Sequence, residues 1–219
     1  MKNITTIFIG DSITEGQYVS EDLCWTALVG ARIRNLLSSD ISDKLVFFHR
    51  GVSGETTRQG LERFPRDVQD ASPQVVSLQF GLNDCNCWDT DKGLNRVSKA
   101  AFHANLSEMI DRGRACGAKQ IILSTNHRTL RHKRLANNKT LEQNRAQYNK
   151  IIYNVSNEMD VPLCDVGMEF NQFSDGELAE YLLPTPDLIH LSRQGHEYYA
   201  NLILPFILEA IKNCINTQR

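Results

Sequence analysis

Short apolar runs alternate along this chain with longer stretches in which apolar residues recur at helical spacing. Ile7-Phe8-Ile9, Leu45-Val46-Phe47-Phe48, Val75-Val76-Ser77-Leu78-Gln79-Phe80 and Ile121-Ile122-Leu123-Ser124 are brief and rich in β-branched and aromatic residues. Each reads as a buried strand. Val161-Pro162-Leu163-Cys164-Asp165-Val166 predicts a fifth, and its proline places it at a sheet edge, where a missing N–H is tolerated. Between the strands, a helix is predicted from about Asp22 to Ser38, with Trp25, Leu28, Val29, Ile33 and Leu36 on one stripe. Others are expected from Thr56 to Gln69, bent or interrupted at Pro65, from Asn95 to Ala115, from Lys139 to Met159, and from Arg193 to Ile215 with a bend at Pro205. Residues 127–138 have no clear period, and a loop is expected around Pro184 and Pro186. Strands alternating with helices predict a single α/β domain over residues 1–219, built on a parallel sheet covered on both faces.

Composition narrows the picture. A chain of 219 residues, 41% of them hydrophobic, has enough apolar mass for one sizeable core. Its formal net charge of -2 argues against a nucleic-acid-binding surface. No apolar run approaches the length of a membrane span. Met1-Lys2-Asn3 leads straight into the first predicted strand without a signal peptide, so a cytoplasmic protein is expected. The six cysteines are scattered, and Cys85-Asn86-Cys87 lacks a second pair at zinc-site spacing. Free thiols in a reducing compartment, and no metal, are the expectation.

Candidate chemistry collects where strands end. The first strand breaks abruptly into Gly10-Asp11-Ser12, the second into Gly51-Val52-Ser53-Gly54-Glu55-Thr56-Thr57, the third into Gly81-Leu82-Asn83-Asp84. A parallel sheet gathers such turns along one rim, where ligands bind. A serine there can be a helix cap or an acyl-transfer nucleophile. Glycines let backbone N–H groups approach a ligand, and an asparagine amide donates without charge. Far along the chain, Asp187-Leu188-Ile189-His190 holds either an ordinary surface-loop histidine or an imidazole base with a carboxylate to orient it.

Taken in order, Gly10-Asp11-Ser12, the turn at Gly54, Gly81-Leu82-Asn83-Asp84 and Asp187-Leu188-Ile189-His190 resemble the four sequence blocks of the SGNH hydrolases, also called GDSL esterases and lipases. The resemblance spans the chain from its first strand to its last helix. It implies a three-layer α/β/α sandwich around a five-stranded parallel sheet, of flavodoxin-like form. It also implies Ser12 as nucleophile, His190 as general base and Asp187 as its partner. The oxyanion hole would be the backbone N–H groups of Ser12 and Gly54 with the side-chain amide of Asn83. Gly54 is preferred to Gly51 because Ser53-Gly54-Glu55-Thr56 is similar to the family's Ser-Gly-Asp-Thr form. No cofactor is implied, and the partner is a small-molecule acyl ester.

The expected activity is hydrolysis of a small acyl ester, with an O-acetyl group on a carbohydrate as the leading substrate. A thioesterase or lysophospholipase would use the same turns, and a catalytically silent carbohydrate- or partner-binding domain is the alternative of a different class. A phosphate loop is excluded because Gly10 to Gly16 lacks the lysine and glycine spacing. Asp11 and Asp84 are expected to brace their turns, and His196 to pack the start of the last helix. Cys85-Asn86-Cys87-Trp88 follows the proposed oxyanion asparagine, either as pocket wall, with Trp88 against substrate, or as a packed loop. His127, Arg128, Arg131, His132, Lys133 and Arg134 form a basic run on the same rim. It is either a solvated loop or a cationic lid whose Arg131 and Arg134 recruit an anionic substrate.

Overall fold

The computed structural model describes residues 3–217. Five strands, β1 (Ile4–Gly10), β2 (Leu45–Gly51), β3 (Val75–Gln79), β4 (Gln120–Ser124) and β5 (Leu163–Cys164), form one parallel sheet in the order β2-β1-β3-β4-β5. Among the described residues nine helices join and cover them: α1 (Ser12–Glu15), α2 (Trp25–Leu36), α3 (Ser39–Ser42), α4 (Thr57–Asp67), α5 (Lys99–Ala115), α6 (Leu141–Glu158), α7 (Val166–Asn171), α8 (Asp175–Tyr181) and α9 (Arg193–Asn216). This is the flavodoxin-like strand order in three α/β/α layers.

The central strands β1, β3 and β4 are buried on both faces, which is why they read as apolar runs, while the edge strand β2 is mostly half-buried. Successive residues of β1 go to opposite cores. Ile4 and Phe8 pack under α2 and α9, while Ile7 and Ile9 pack on the side covered by α4, α5 and α6. Trp25 ties the first layer together. Its buried ring lies edge-on to Phe8 at 5.2 Å and stacks on Tyr199 of α9 at 4.7 Å. Its indole N–H donates to the Ile13 carbonyl at 2.8 Å, so a buried polar atom is satisfied and α1 is held to the core.

Local chemistry explains where the elements differ from expectation. Helix α2 starts at Trp25 because Glu21–Leu23 close a separate 3-10 turn. Leu36 ends that helix and is 60% exposed, and Leu37 packs against the core in its place. Helix α5 starts at Lys99 because the Ser98 hydroxyl accepts the Ala101 N–H, and α6 starts after a Thr140–Gln143 capping box. Both Pro65 and Pro205 lie inside continuing helices. The predicted fifth strand keeps only two residues, at the sheet edge. Helices α7 and α8 were not expected. The signal for α8 was present in Ser174-Asp175-Gly176-Glu177, whose serine and glutamate form another capping box.

Trp25→Ala should destabilise the fold by about 3–5 kcal/mol, while Leu36→Ala should stay within about 0.5 kcal/mol of the parent. Chemical denaturation measures both, and equal effects would contradict this assignment of the core.

Candidate active site

Strand order reverses at β1. The chain crosses from β1 to β2 on one side and then returns to pair β3 on the other, opening a crevice at their carboxyl ends. Gly10, Gly51 and Gln79 stand level in the register, so the turns that follow meet at one place. Asp11 caps α1 by accepting the Ile13 N–H at 3.0 Å, and Gly16 closes the same single turn by donating to the Ser12 carbonyl. The Thr14 hydroxyl bonds Gln79 of β3 at 2.8 Å, anchoring the turn to the neighbouring strand. Ser12 is thereby fixed at the rim and is 6% exposed.

Its hydroxyl oxygen lies 2.9 Å from Nε2 of His190, 178 residues away. Nδ1 of the same ring lies 2.7 Å from Asp187 Oδ2. The other Asp187 oxygen accepts the backbone N–H groups of Ile189 at 2.9 Å and His190 at 2.6 Å. Leu188 takes a left-handed backbone conformation (φ 60°) so that the turn can close on that carboxylate. Burial pushes the Asp187 carboxyl upward, but the His190 N–H, the imidazole and the Ile189 N–H outweigh it and hold the group below its ordinary value. Asp187 is therefore charged at neutral pH, and a hydroxyl, an imidazole and a carboxylate stand in line. Such a line can take a proton from the hydroxyl and return it to a leaving group.

The loop carrying Asp187 and His190 is held from below. His127 Nε2 faces the Ile189 carbonyl at 2.8 Å, and the Leu130 N–H donates to the Leu188 carbonyl at 2.9 Å. Burial lowers His127 to about 3, so its ring is neutral and must carry its proton on Nε2 to make that bond. His127 is thus removed from the basic run, where its residue type had put it. His196 is also buried and lowered to about 4, chiefly by burial, and its Nδ1 accepts the Trp25 N–H at 3.3 Å.

The turns after β2 and β3 complete the rim. Gly54 has φ 78°, and a side chain there would meet open space, so backbone conformation is what favours glycine. Gly51 is different. It is inside β2, and a Cβ would lie 2.0 Å from the Glu15 nitrogen, so its glycine lets α1 approach the strand. Among the described residues, neither the Ser12 nor the Gly54 N–H donates to another protein group. Asn83 Oδ1 accepts from Arg96 Nη1 at 3.3 Å. Asp84 accepts the Thr57 N–H at 2.9 Å and the Thr57 hydroxyl, which binds the β3 turn to the start of α4.

Trp88, Arg131 and Arg134 line one groove of about 540 Å³, which reaches Pro186 and Leu188 on the loop that holds Asp187. Trp88 is 50% exposed. Part of the basic run is already neutralised. Arg128 pairs with Asp175, and His132 Nε2 lies 3.8 Å from the same carboxylate. Among the described residues, Arg131 and Arg134 bond only backbone carbonyls, those of Pro186 and Asn138. Cys85 and Cys87 are buried, and among the described residues no cluster of three His, Cys, Asp or Glu side chains is disposed to hold a metal. Sequence reasoning did not single out Tyr18, whose exposed ring meets His190 edge-on at 5.3 Å from a left-handed backbone (φ 73°). Arg96 was missed as well. Neither lies in a recognisable motif, and only the folded chain shows what they touch.

A parallel three-layer sheet with these four turns on one rim defines an SGNH-type hydrolase fold. The GDSL-like Lipase/Acylhydrolase family model matches residues 8–198, and the chain belongs to that family of ester-bond hydrolases. It is similar to an uncharacterized lipoprotein YqeF of Bacillus subtilis, 29% identical over 179 residues that cover 74% of this chain and 73% of that protein. It is also similar to the thioesterase 1/protease 1/lysophospholipase L1 of Escherichia coli, 26% identical over 90% of this chain and 80% of the other. Among solved structures, the lipase/acylhydrolase from Enterococcus faecalis superposes with a TM-score of 0.76 at 26% identity, covering 94% of this chain and 96% of that one. No helix among the described residues is long and apolar enough to cross a membrane.

Two buried carboxyls beneath the rim generate a pH prediction. Burial raises Asp11 to about 7, with the Asp84 charge adding to the effect against the Ile13 N–H, and burial raises Asp84 to about 6. A carboxyl that holds its proton more tightly when folded contributes stability below its unfolded value. That contribution is lost as pH rises through the folded value. Asn at position 11 keeps an acceptor for the Ile13 N–H and does not titrate. The melting temperature of Asp11→Asn minus that of the parent should therefore grow from about pH 4 to pH 7 and then level off. Parallel melting profiles across that range would contradict it.

Proposed function

We propose that the protein is a single-domain serine esterase acting on a small acyl ester, with Ser12 as nucleophile, His190 as general base and acid, and Asp187 as the carboxylate that orients it. The observation that carries this reading is the unbroken line from Ser12 Oγ through His190 to Asp187. The Ser12 oxygen bonds the acyl carbon as His190 Nε2 takes its proton. The bond to the alkoxy oxygen then breaks, and His190 returns the proton to the departing alcohol. Water attacks the acyl-enzyme while the same nitrogen takes its proton. The Ser12–acyl bond breaks with that proton returned to Ser12, and the acid leaves. The two N–H groups of Ser12 and Gly54 and the Asn83 amide receive the oxyanion in both steps.

An O-acetylated carbohydrate suits the groove beside the loop, where the Trp88 indole stands beside hydrogen-bonding cations. Two of those cations, Arg131 and Arg134, have no carboxylate partner among the described residues, which favours an alcohol carrying negative charge. The Escherichia coli relative keeps a thioesterase or lysophospholipase reading in play on the same site. The scattered spacing of the six cysteines in the sequence favours a reducing, cytoplasmic setting; the Bacillus subtilis relative is named a lipoprotein.

A fluorophosphonate should label the parent at Ser12 and fail to label Ser12→Ala, and ester hydrolysis should vanish with the label. Retained labelling in Ser12→Ala would exclude Ser12 as nucleophile. On a panel of aryl esters, acyl thioesters and acetylated sugars, the acetyl compounds should be turned over best. A second expectation concerns charge. Arg131→Ala/Arg134→Ala should raise KM for anionic esters at low salt and leave neutral esters unchanged, and equal KM values in both proteins would remove the cationic role.

A further inference from the structure

We propose that Arg96 is a positioning residue that aims two of the three oxyanion-hole donors. This rests on the reading of Gly54 and Asn83 given above, and it assigns a residue outside the four sequence blocks.

One guanidinium nitrogen of Arg96, Nη1, donates both to the Gly54 carbonyl at 3.0 Å and to Asn83 Oδ1 at 3.3 Å. It therefore links the turn after β2 to the turn after β3 at a single atom. The consequence for Asn83 follows from hydrogen-bond chemistry. Arginine can only donate, so the end of the amide that faces it is the oxygen and the NH2 end is turned away from it. The terminal torsion of an asparagine is soft, and Asn83 is only half-buried. Loss of Arg96 removes the donor that holds the oxygen end of the amide. A flipped amide would present an acceptor to the developing oxyanion, which repels rather than stabilises it.

The consequence for Gly54 is conformational. Its side chain is absent, its φ is 78°, and its turn is exposed. A bond to its carbonyl restricts the residue to one of the many conformations open to glycine and so fixes its free N–H.

Arg96 is itself held from other directions. Its guanidinium carbon lies 4.0 Å from the centre of the Trp88 ring, over its face, and its own N–H donates to the Asn86 carbonyl at 2.9 Å. The guanidinium hydrogen bonds go to two neutral oxygens, so they serve orientation instead of closing an ion pair. A planar fork stacked on an indole is better suited to this than a lysine's single ammonium.

The test is a double-mutant cycle on p-nitrophenyl acetate with Arg96→Ala, Asn83→Ala and the two combined, with melting curves to confirm folding. Asn83→Ala should lose about a hundredfold or more in kcat, as deletion of an oxyanion donor does. Arg96→Ala should lose about ten- to a hundredfold in kcat with KM within about twofold, because the interaction matters only once the oxyanion forms. The combined variant should be no slower than Asn83→Ala alone, apart from a smaller residual loss through Gly54. The inhibition constant of an arylboronic acid, which forms a tetrahedral adduct with the serine, should rise in step with the fall in kcat.

Full multiplication of the two single losses would overturn the role of Arg96 while leaving Asn83 as a donor. An Asn83→Ala variant with parental kcat would overturn the oxyanion reading and this proposal together. Should Arg96→Ala fail to fold, Arg96→Gln keeps one donor and should lose less than tenfold in kcat; an Arg96→Gln enzyme that folds and loses as much as Asn83→Ala also overturns the proposal.

Discussion

The contact between the Ser12 hydroxyl and the His190 imidazole joins the beginning of the chain to its end, and the rest of the structure exists to keep it in register. Neither residue is held by the other. Ser12 is placed by the cap and closure of a single helical turn, which Trp25 and Gln79 pin to the core and to β3. His190 is placed by a carboxylate that collects three donors from its own loop, and that loop rests on a neutral, buried histidine. Rigid supports on both sides let a 2.9 Å contact persist without entropy being spent when substrate arrives.

Burial of polar groups beneath the rim is the cost of this arrangement. Asp11, Asp84, His127 and His196 are all enclosed, and each is pushed toward its neutral form. Most of their atoms are occupied: Asp84 by Thr57, Asp11 by Ile13, His196 by Trp25 and His127 by Ile189. One oxygen of Asp11 and one nitrogen of His127 have no protein partner among the described residues. Buried polar groups of this kind make a scaffold rigid when paired and sensitive to pH when they are not.

Charge is distributed with similar economy. The run from His127 to Arg134 looks uniformly basic along the chain, yet its members meet different fates. One is buried and neutral, two face Asp175, and the remaining side chains edge a groove that leads from the loop carrying Asp187 and His190. Arg96, isolated in the sequence, stands instead at the junction of two turns and an exposed tryptophan. Position in the fold, more than local charge density, separates the cations near this site.

The sequence by itself determined the parallel sheet, the edge position of β5 and the four polar turns, because strands buried between helical layers are short apolar runs broken by glycine and small polar residues, whereas β2, read as buried, proved to be the other edge. It also named Ser12, Asn83, Asp187 and His190, since those residue types follow strand ends or sit three apart in one loop. It could not decide between Gly51 and Gly54 on chemistry alone. The fold shows that glycine is required at the two positions for different reasons, a 2.0 Å approach of α1 at Gly51 and a left-handed backbone at Gly54. Helix ends, the burial of His127, the exposure of Leu36 and the reach of Arg96 and Tyr18 were likewise settled only in three dimensions. Each depends on what a side chain meets across tens of residues, and hydrophobic period carries no record of that.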